Sequence, residues 1–156
     1  MNYSDLNRVP SFLIKRVSQE LIRQAEVRLR PLGIGMASMP VLGALQWGEA
    51  RTQAELARLL QVEQPSMAQT LARLERDQLI RRRPDPEHKR IQLVELTELA
   101  LARIPEAKQI LGEGNTKALQ GFSEEEVARF VDFLQRANAN LRADSPENQK
   151  ANPSAS

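Results

Sequence analysis

Residues 52–97 read TQAELARLLQVEQPSMAQTLARLERDQLIRRRPDPEHKRIQLVELT, and the spacing of the apolar residues changes within that run. Thr52-Gln53-Ala54-Glu55 has the form of a capping box, in which the Thr hydroxyl accepts from the third backbone N–H of a helix while the Glu side chain reaches back to the cap. The helix it opens carries Leu56, Leu59 and Leu60 on one side and ends near Gln61-Val62. After a short gap the pattern predicts a second helix from Pro65 to Asp77, with Pro65 at its first position, where a missing N–H does least harm. Met67, Leu71 and Leu74, spaced by four and three, set its apolar stripe inward and leave Ser66, Gln69, Thr70 and Arg73 outward. From Leu79 onward alternation replaces helical spacing. Leu79–Arg83 and Ile91–Leu96 read as two short strands, joined by the turn-forming, charged segment Pro84-Asp85-Pro86-Glu87-His88-Lys89-Arg90.

Working outward, Ser11–Arg30 places Leu13, Val17, Leu21, Ala25 and Leu29 at helical spacing and stops at Pro31-Leu32-Gly33. A shorter apolar run from Met36 to Trp47 holds Pro40 in or near its first turn. On the other side, Thr97 caps a helix through Leu101 and Ile104, and Pro105, Gly112 and Gly114 predict that it is bent or interrupted around residues 105–114. Ser123-Glu124-Glu125-Glu126 is a second capping box, opening a helix expected to bury Val127, Phe130, Val131, Leu134 and Leu141. Residues 143–156 contain no large apolar side chain and are expected to be a disordered tail.

Composition excludes several classes of function. With no cysteine among 156 residues there is no disulfide framework, thiolate metal site, thiol nucleophile or cysteine-based redox sensing. His88 is the single histidine, so a metal site would need carboxylates almost alone, and neither metal nor cofactor is expected. No apolar run approaches the length of a membrane span, and the N-terminus lacks the order of a signal peptide, so the expectation is a cytoplasmic protein without a membrane partner. The formal charge of +2 is modest, but it is unevenly placed. Residues 73–90 hold Arg73, Arg76, Arg81, Arg82, Arg83, Lys89 and Arg90 against Glu75, Asp77, Asp85 and Glu87, whereas the stretch from Ser123 onward is acidic.

Two short helices joined by a tight turn and followed by a basic hairpin make a winged helix-turn-helix. The fold expected is therefore mostly α with a small β-hairpin wing. Such a module suits double-stranded DNA, because its second helix fits the major groove while an arginine-rich hairpin reaches the flanking backbone or minor groove. Residues 52–98 resemble the MarR family of bacterial transcription regulators, and VEQPSMAQTLARLE with LTELA is most similar to its SlyA branch. The likeness extends more loosely over residues 8–141, where the first and last helices match the family's dimerisation helices in order and length.

The resemblance implies a homodimer whose N- and C-terminal helices interleave, binding a pseudo-palindromic promoter site and often released by a small aromatic or anionic effector. It divides the chain into an N-terminal dimerisation helix (1–32), a DNA-binding winged module (33–97), C-terminal dimerisation helices (98–142) and the tail (143–156). The DNA-contacting candidates are Gln64, Pro65, Ser66, Gln69, Thr70 and Arg73 of the recognition helix, with Arg81, Arg83, Lys89 and Arg90 of the wing. Where the family's wing commonly reads Asp-Arg-Arg, this chain has His88, Lys89 and Arg90, so the acid that often braces the wing arginines is absent from its usual place. Gln69 stands where SlyA-like proteins carry arginine, and Gln pairs with adenine where Arg favours guanine. Ala100 stands where many members have glycine.

Plainer readings stand beside these. Arg81-Arg82-Arg83 alone is a solvated strand edge, and alternation turns Arg82 away from its neighbours. His88 reads as an exposed turn residue, and Met36, Met39 and Met67 as packing. Trp47 reads as a core residue at the junction of the outer helix and the winged module, with a ligand pocket there as the sharper alternative. A winged helix also serves as a protein-interaction module without DNA contact. A ligand-processing enzyme is the weaker rival, since no nucleophile, metal or acid–base pair is legible.

Overall fold

The computed structural model describes residues 3–143. The order is α1 (Tyr3–Leu6), α2 (Pro10–Leu29), short 3-10 turns at Arg30–Leu32 and Met36–Ser38, α3 (Met39–Trp47), α4 (Gln53–Leu60), α5 (Gln64–Arg76), β1 (Ile80–Pro84), β2 (Gln92–Leu96), α6 (Glu98–Ala118) and α7 (Glu124–Ala143). The described residues form two compact units, divided between residues 116 and 117. The tail from residue 144 lies outside the described residues.

In the first unit the last turns of α2 meet α3, α4, α5, the hairpin and α6 around one core. Leu29, Ile34, Leu42, Leu56, Met67, Leu71, Leu74, Leu79 and Ile104 are fully buried there, and the area they remove from water is the main stabilising term. Arg103 donates to the Leu32 carbonyl at 2.9 Å, and Glu26 accepts from the Met36 N–H at 2.7 Å, so both sides of the Gly33–Gly35 bend are tied down. Gly33 itself has φ +66°, which disfavours any side chain.

Several expectations shift by a residue or a turn. The run from Met36 is a 3-10 turn before α3, because Pro40 has no N–H to return to the Met36 carbonyl, and the α-helical ladder cannot extend backward through it. In α4, Leu56 is buried and Leu60 half-buried, but Leu59 is exposed; the inward arc is completed by Ala57 instead. α5 starts at Gln64, making Pro65 its second residue, a position whose N–H is also unclaimed by the helix. α6 is not interrupted. It runs 21 residues through Pro105, held by Ala100, Ile104, Ala107 and Ile110 in the core, while Pro105 itself is exposed. At Gly114 an added Cβ would sit 3.8 Å from Leu21, an ordinary contact.

Trp47 is not core. It is 73% exposed, because α3 buries Val41, Leu42 and Ala44 and the last residue of the helix falls on the opposite side; Lys108 Nζ lies 5.2 Å from its ring centroid. Met67 is fully buried, and Met36 and Met39 pack partly buried against the core.

The outer helices do not bury their apolar stripes within the chain. In α2 Ala25 and Leu29 are buried, whereas Leu13, Val17 and Val27 are exposed. In the second unit Ser123 and Glu126 form the expected capping box, with Glu126 N donating to Ser123 Oγ at 3.2 Å and Ser123 N to Glu126 Oε2 at 2.8 Å. Phe122 and Phe130 meet edge to face, with centroids 6.3 Å apart. Val127 is half-buried, but Phe130, Val131, Leu134 and Leu141 are exposed, since the helix has no second layer of its own to pack on.

The first capping box forms as well: Glu55 N donates to Thr52 Oγ1 at 3.2 Å, and Glu55 Oε2 accepts from Arg51 N at 2.7 Å and Thr52 N at 3.1 Å. The Arg51 N–H is the main cause holding the Glu55 carboxyl below the usual range. Thr52→Ala is expected to cost about 1 kcal/mol, read as a fall of about 2–4 °C in Tm. A depressed carboxylate stabilises while ionised, so the contribution of Glu55 is complete above the ordinary Glu value and is lost as pH falls through its lower folded value. Glu55→Gln should therefore be less stable at neutral pH and lose less stability below about pH 4; parallel stability profiles for the two proteins would refute this role.

Candidate nucleic-acid interface

α4 and α5 are joined by three residues, and the geometry is set at each side of the joint. Gln61 closes α4 in the left-handed conformation, φ 52°, while its N–H and that of Val62 return to the last carbonyls of α4. Gln53 Nε2 donates to Gln64 Oε1 at 3.2 Å, linking the first turns of the two helices. Met67, Leu71 and Leu74 enter the core, and this fixes the rotation of α5 about its own axis. Gln64, Pro65, Ser66, Gln69 and Arg73 are consequently exposed on its outer side. Thr70 is half-buried, and its hydroxyl donates to the Ser66 carbonyl at 3.1 Å, so it is partly engaged within the helix.

The hairpin is antiparallel, pairing Ile80 with Leu96, Arg81 with Glu95, Arg82 with Val94, Arg83 with Leu93 and Pro84 with Gln92. Val94 N donates to the Arg51 carbonyl at 2.8 Å, which fastens the hairpin to the start of α4. Arg82 shares its face with the core residue Val94, as alternation predicts, and its buried Nε lies 3.4 Å from Glu75 of α5. Arg81 and Arg83 share the other face with Glu95. Glu95 Oε2 accepts from Arg81 Nε at 3.2 Å, and Oε1 from Arg83 Nε at 2.5 Å. That hydrogen bond from Arg83, with the charge of both guanidiniums, holds the Glu95 carboxyl below the usual range.

At the tip, Asp85 Oδ1 accepts from Glu87 N at 2.8 Å and His88 N at 3.4 Å, while Asp85 N donates to the Ile91 carbonyl and Ile91 N to the His88 carbonyl, both at 2.8 Å. The Glu87 N–H is the main cause keeping the Asp85 carboxyl low. His88, Lys89 and Arg90 are exposed, and among the described residues neither Lys89 nor Arg90 is in an ion pair. The wing thus has two acidic braces, Asp85 at the turn and Glu95 on the second strand, in place of the acid missing at position 88. Neither was singled out from sequence. Asp85 carried a readable signal as an Asx turn before Pro-Glu, and Glu95 becomes legible once the strand register places it opposite Arg81.

Between α4 and the wing lies an open cleft of about 430 Å³ lined by Thr52, Gln53, Ala54, Glu55, Arg58, Arg82, Arg90, Ile91 and Gln92. Trp47 does not line it. Among the described residues, no group of His, Asp or Glu side chains is arranged to hold a metal ion, and no helix is long and apolar enough to cross a membrane.

The arrangement has close counterparts. Residues 32–91 match the model of the MarR family. The crystal structure of the transcriptional regulator SlyA superposes with a TM-score of 0.74 at 26% identity, over 84% of this chain and 92% of that one. A cysteine-to-serine mutant of E. coli MarR complexed with operator DNA gives 0.73 at 28% identity, over 84% and 95%. The S. aureus MepR–DNA complex gives 0.75 at 25% identity, over 85% and 96%. Residues 32–91 are thus similar to the MarR family, and the helical order of the chain is like that of these winged helix-turn-helix regulators.

Proposed function

We propose that the protein binds a pseudo-palindromic operator in double-stranded DNA as a homodimer, with α5 in the major groove and the wing against the flanking backbone. The observation that carries this reading is the division of α5 into a locked apolar side and an outer side of Ser66, Gln69 and Arg73, followed directly by a hairpin whose tip cations have no acidic partner. Gln69 and Ser66 suit base edges, and Arg73, Lys89 and Arg90 suit phosphates. MarR and MepR, the solved relatives captured on DNA, share the fold and lend support.

The homodimer is supported by the uncovered apolar stripes of α2 and α7. All four phenylalanines of the chain, Phe12, Phe122, Phe130 and Phe133, lie in or beside these helices, and the last three are exposed in the single chain. Aromatic side chains gathered on an uncovered surface are the composition of an interface, and two-fold pairing suits a two-fold operator.

Modulation by a small anionic or aromatic effector is supported by the cleft between α4 and the wing, whose walls carry Arg58, Arg82 and Arg90. Arg90 belongs to both the cleft and the wing tip. An anion bound there competes with phosphate for the same guanidinium, which supplies the differential contact that coupling requires.

Three tests follow. Arg90→Ala removes two cations per dimer, so affinity should fall on operator and random duplex alike and the salt slope should flatten by roughly two units. Gln69→Ala should instead cost about 1–3 kcal/mol per half-site on the operator and leave the slope nearly unchanged; equal losses on both DNAs for both variants would remove α5 from the major groove, and salt-independent binding would favour a protein-interaction module. Deleting residues 123–156 should abolish dimerisation in light scattering, and deleting 144–156 should not; a folded, monomeric full-length chain would overturn the dimer. Benzoate-class carboxylates should weaken DNA binding through Arg90 without quenching Trp47, and strong quenching would move the effector to Trp47.

A further inference from the structure

Arg81, Arg83 and Glu95 form a closed charge cluster on one face of the hairpin. Glu95 lies directly opposite Arg81 in the register, and Arg83 is diagonal to it, one pleat nearer the tip. The carboxylate is shared: one oxygen takes Arg83 Nε at 2.5 Å, and the other takes Arg81 Nε at 3.2 Å and Nη2 at 3.1 Å. Its side chain is 26% exposed, whereas that of Arg81 is 69% exposed. Two guanidiniums and one carboxylate give this face a net charge of one, although the sequence alone counts two exposed cations there.

We propose that Glu95 is a positioning residue that limits the electrostatic grip of the wing: by holding Arg81 and Arg83 it withholds the charge of the hairpin stem from phosphates and leaves phosphate attraction to Lys89 and Arg90 at the tip. The inference rests on the reading that the protein binds duplex DNA. A phosphate approaching Arg81 or Arg83 must compete with charge-assisted bonds already made, and it is repelled by the carboxylate between them. Lys89 and Arg90 carry no such competitor. Because phosphate contacts are blind to sequence, the limit acts on operator and random DNA in parallel and leaves the base contacts of α5 untouched.

The test is a salt series on the full-length protein with the isosteric Glu95→Gln variant, on operator and on random duplex, with thermal melting to confirm the fold. One net cation freed per protomer should steepen the salt slope by roughly two units for a dimer, so the affinity gained over wild type should be about tenfold larger at 50 mM than at 200 mM salt. The gain should be similar on both DNAs. Arg81→Ala should reverse most of the gain in the Glu95→Gln background. Lys89→Ala, at the tip, should flatten the slope equally in both backgrounds.

A Glu95→Gln protein that tracks wild type at every salt concentration would overturn the proposal. So would one that binds more weakly with an unchanged slope, since that is the signature of a stiffening brace. Wild-type protein that shows no salt-dependent binding to any duplex would instead overturn the DNA reading, which separates the two failures.

Discussion

The burial of Met67, Leu71 and Leu74 in one stripe is the constraint on which the rest of the interface depends. A helix on a surface can turn about its axis at little cost unless its apolar side is committed. With these three side chains in the core beside Leu56, Leu79 and Ile104, rotating α5 by even one residue, about 100°, would expose them and bury Gln69 or Arg73. The capping box at Thr52, the left-handed Gln61 and the bond from Gln53 to Gln64 then fix where α5 begins and how it leaves α4. The base contact proposed for Gln69 therefore rests on aliphatic packing on the reverse side of the same helix, and a cavity at Leu71 would disturb it without touching a polar group.

Charge in the wing is apportioned by the sheet rather than by composition. Three consecutive arginines meet two different fates: Arg82 turns to the core face and Glu75, while Arg81 and Arg83 turn to Glu95. The cations left without an acidic partner come from the connection, where Asp85 shapes the turn through backbone N–H groups and does not neutralise Lys89 or Arg90. A braced stem and an unpaired tip divide stiffness and attraction between two parts of one hairpin.

What the sequence made legible was local. Both capping boxes, the stripe of α5, the hairpin and the reversed orientation of Arg82 follow from spacings of a few residues, and each is present. What it concealed depends on residues far apart in the chain or outside it. The pairing of Arg81 and Arg83 with Glu95 spans the whole connection, and a shift of one residue in register would have placed Val94 there instead. Pro105, Gly112 and Gly114 predict a bend or an interruption, but α6 runs on through them, and the core contacts on either side of Pro105 outweigh one lost hydrogen bond. Trp47 looked like core by residue type, although its angular place on α3 lies away from Val41 and Leu42. The apolar residues of α2 and α7 are read as needing a partner's cover, and in the single chain most of them are exposed.

That exposure bears on how an operator would be held. A single winged module offers one recognition helix and two unpaired wing cations, Lys89 and Arg90, with Arg73 on α5 as a third. Phosphate attraction on this scale is weak at physiological salt, and the role proposed for Glu95 would keep it so. Two modules joined rigidly convert the second half-site into an intramolecular encounter, and the gain scales with how well their separation matches one helical turn of DNA, about 34 Å. In the proposed dimer, the apolar faces of α2 and α7 thus do more than stabilise the fold: they set the distance between the two copies of α5. A protein with modest charge in each wing depends on that distance more than a strongly cationic one would, because neither half can hold DNA without the other.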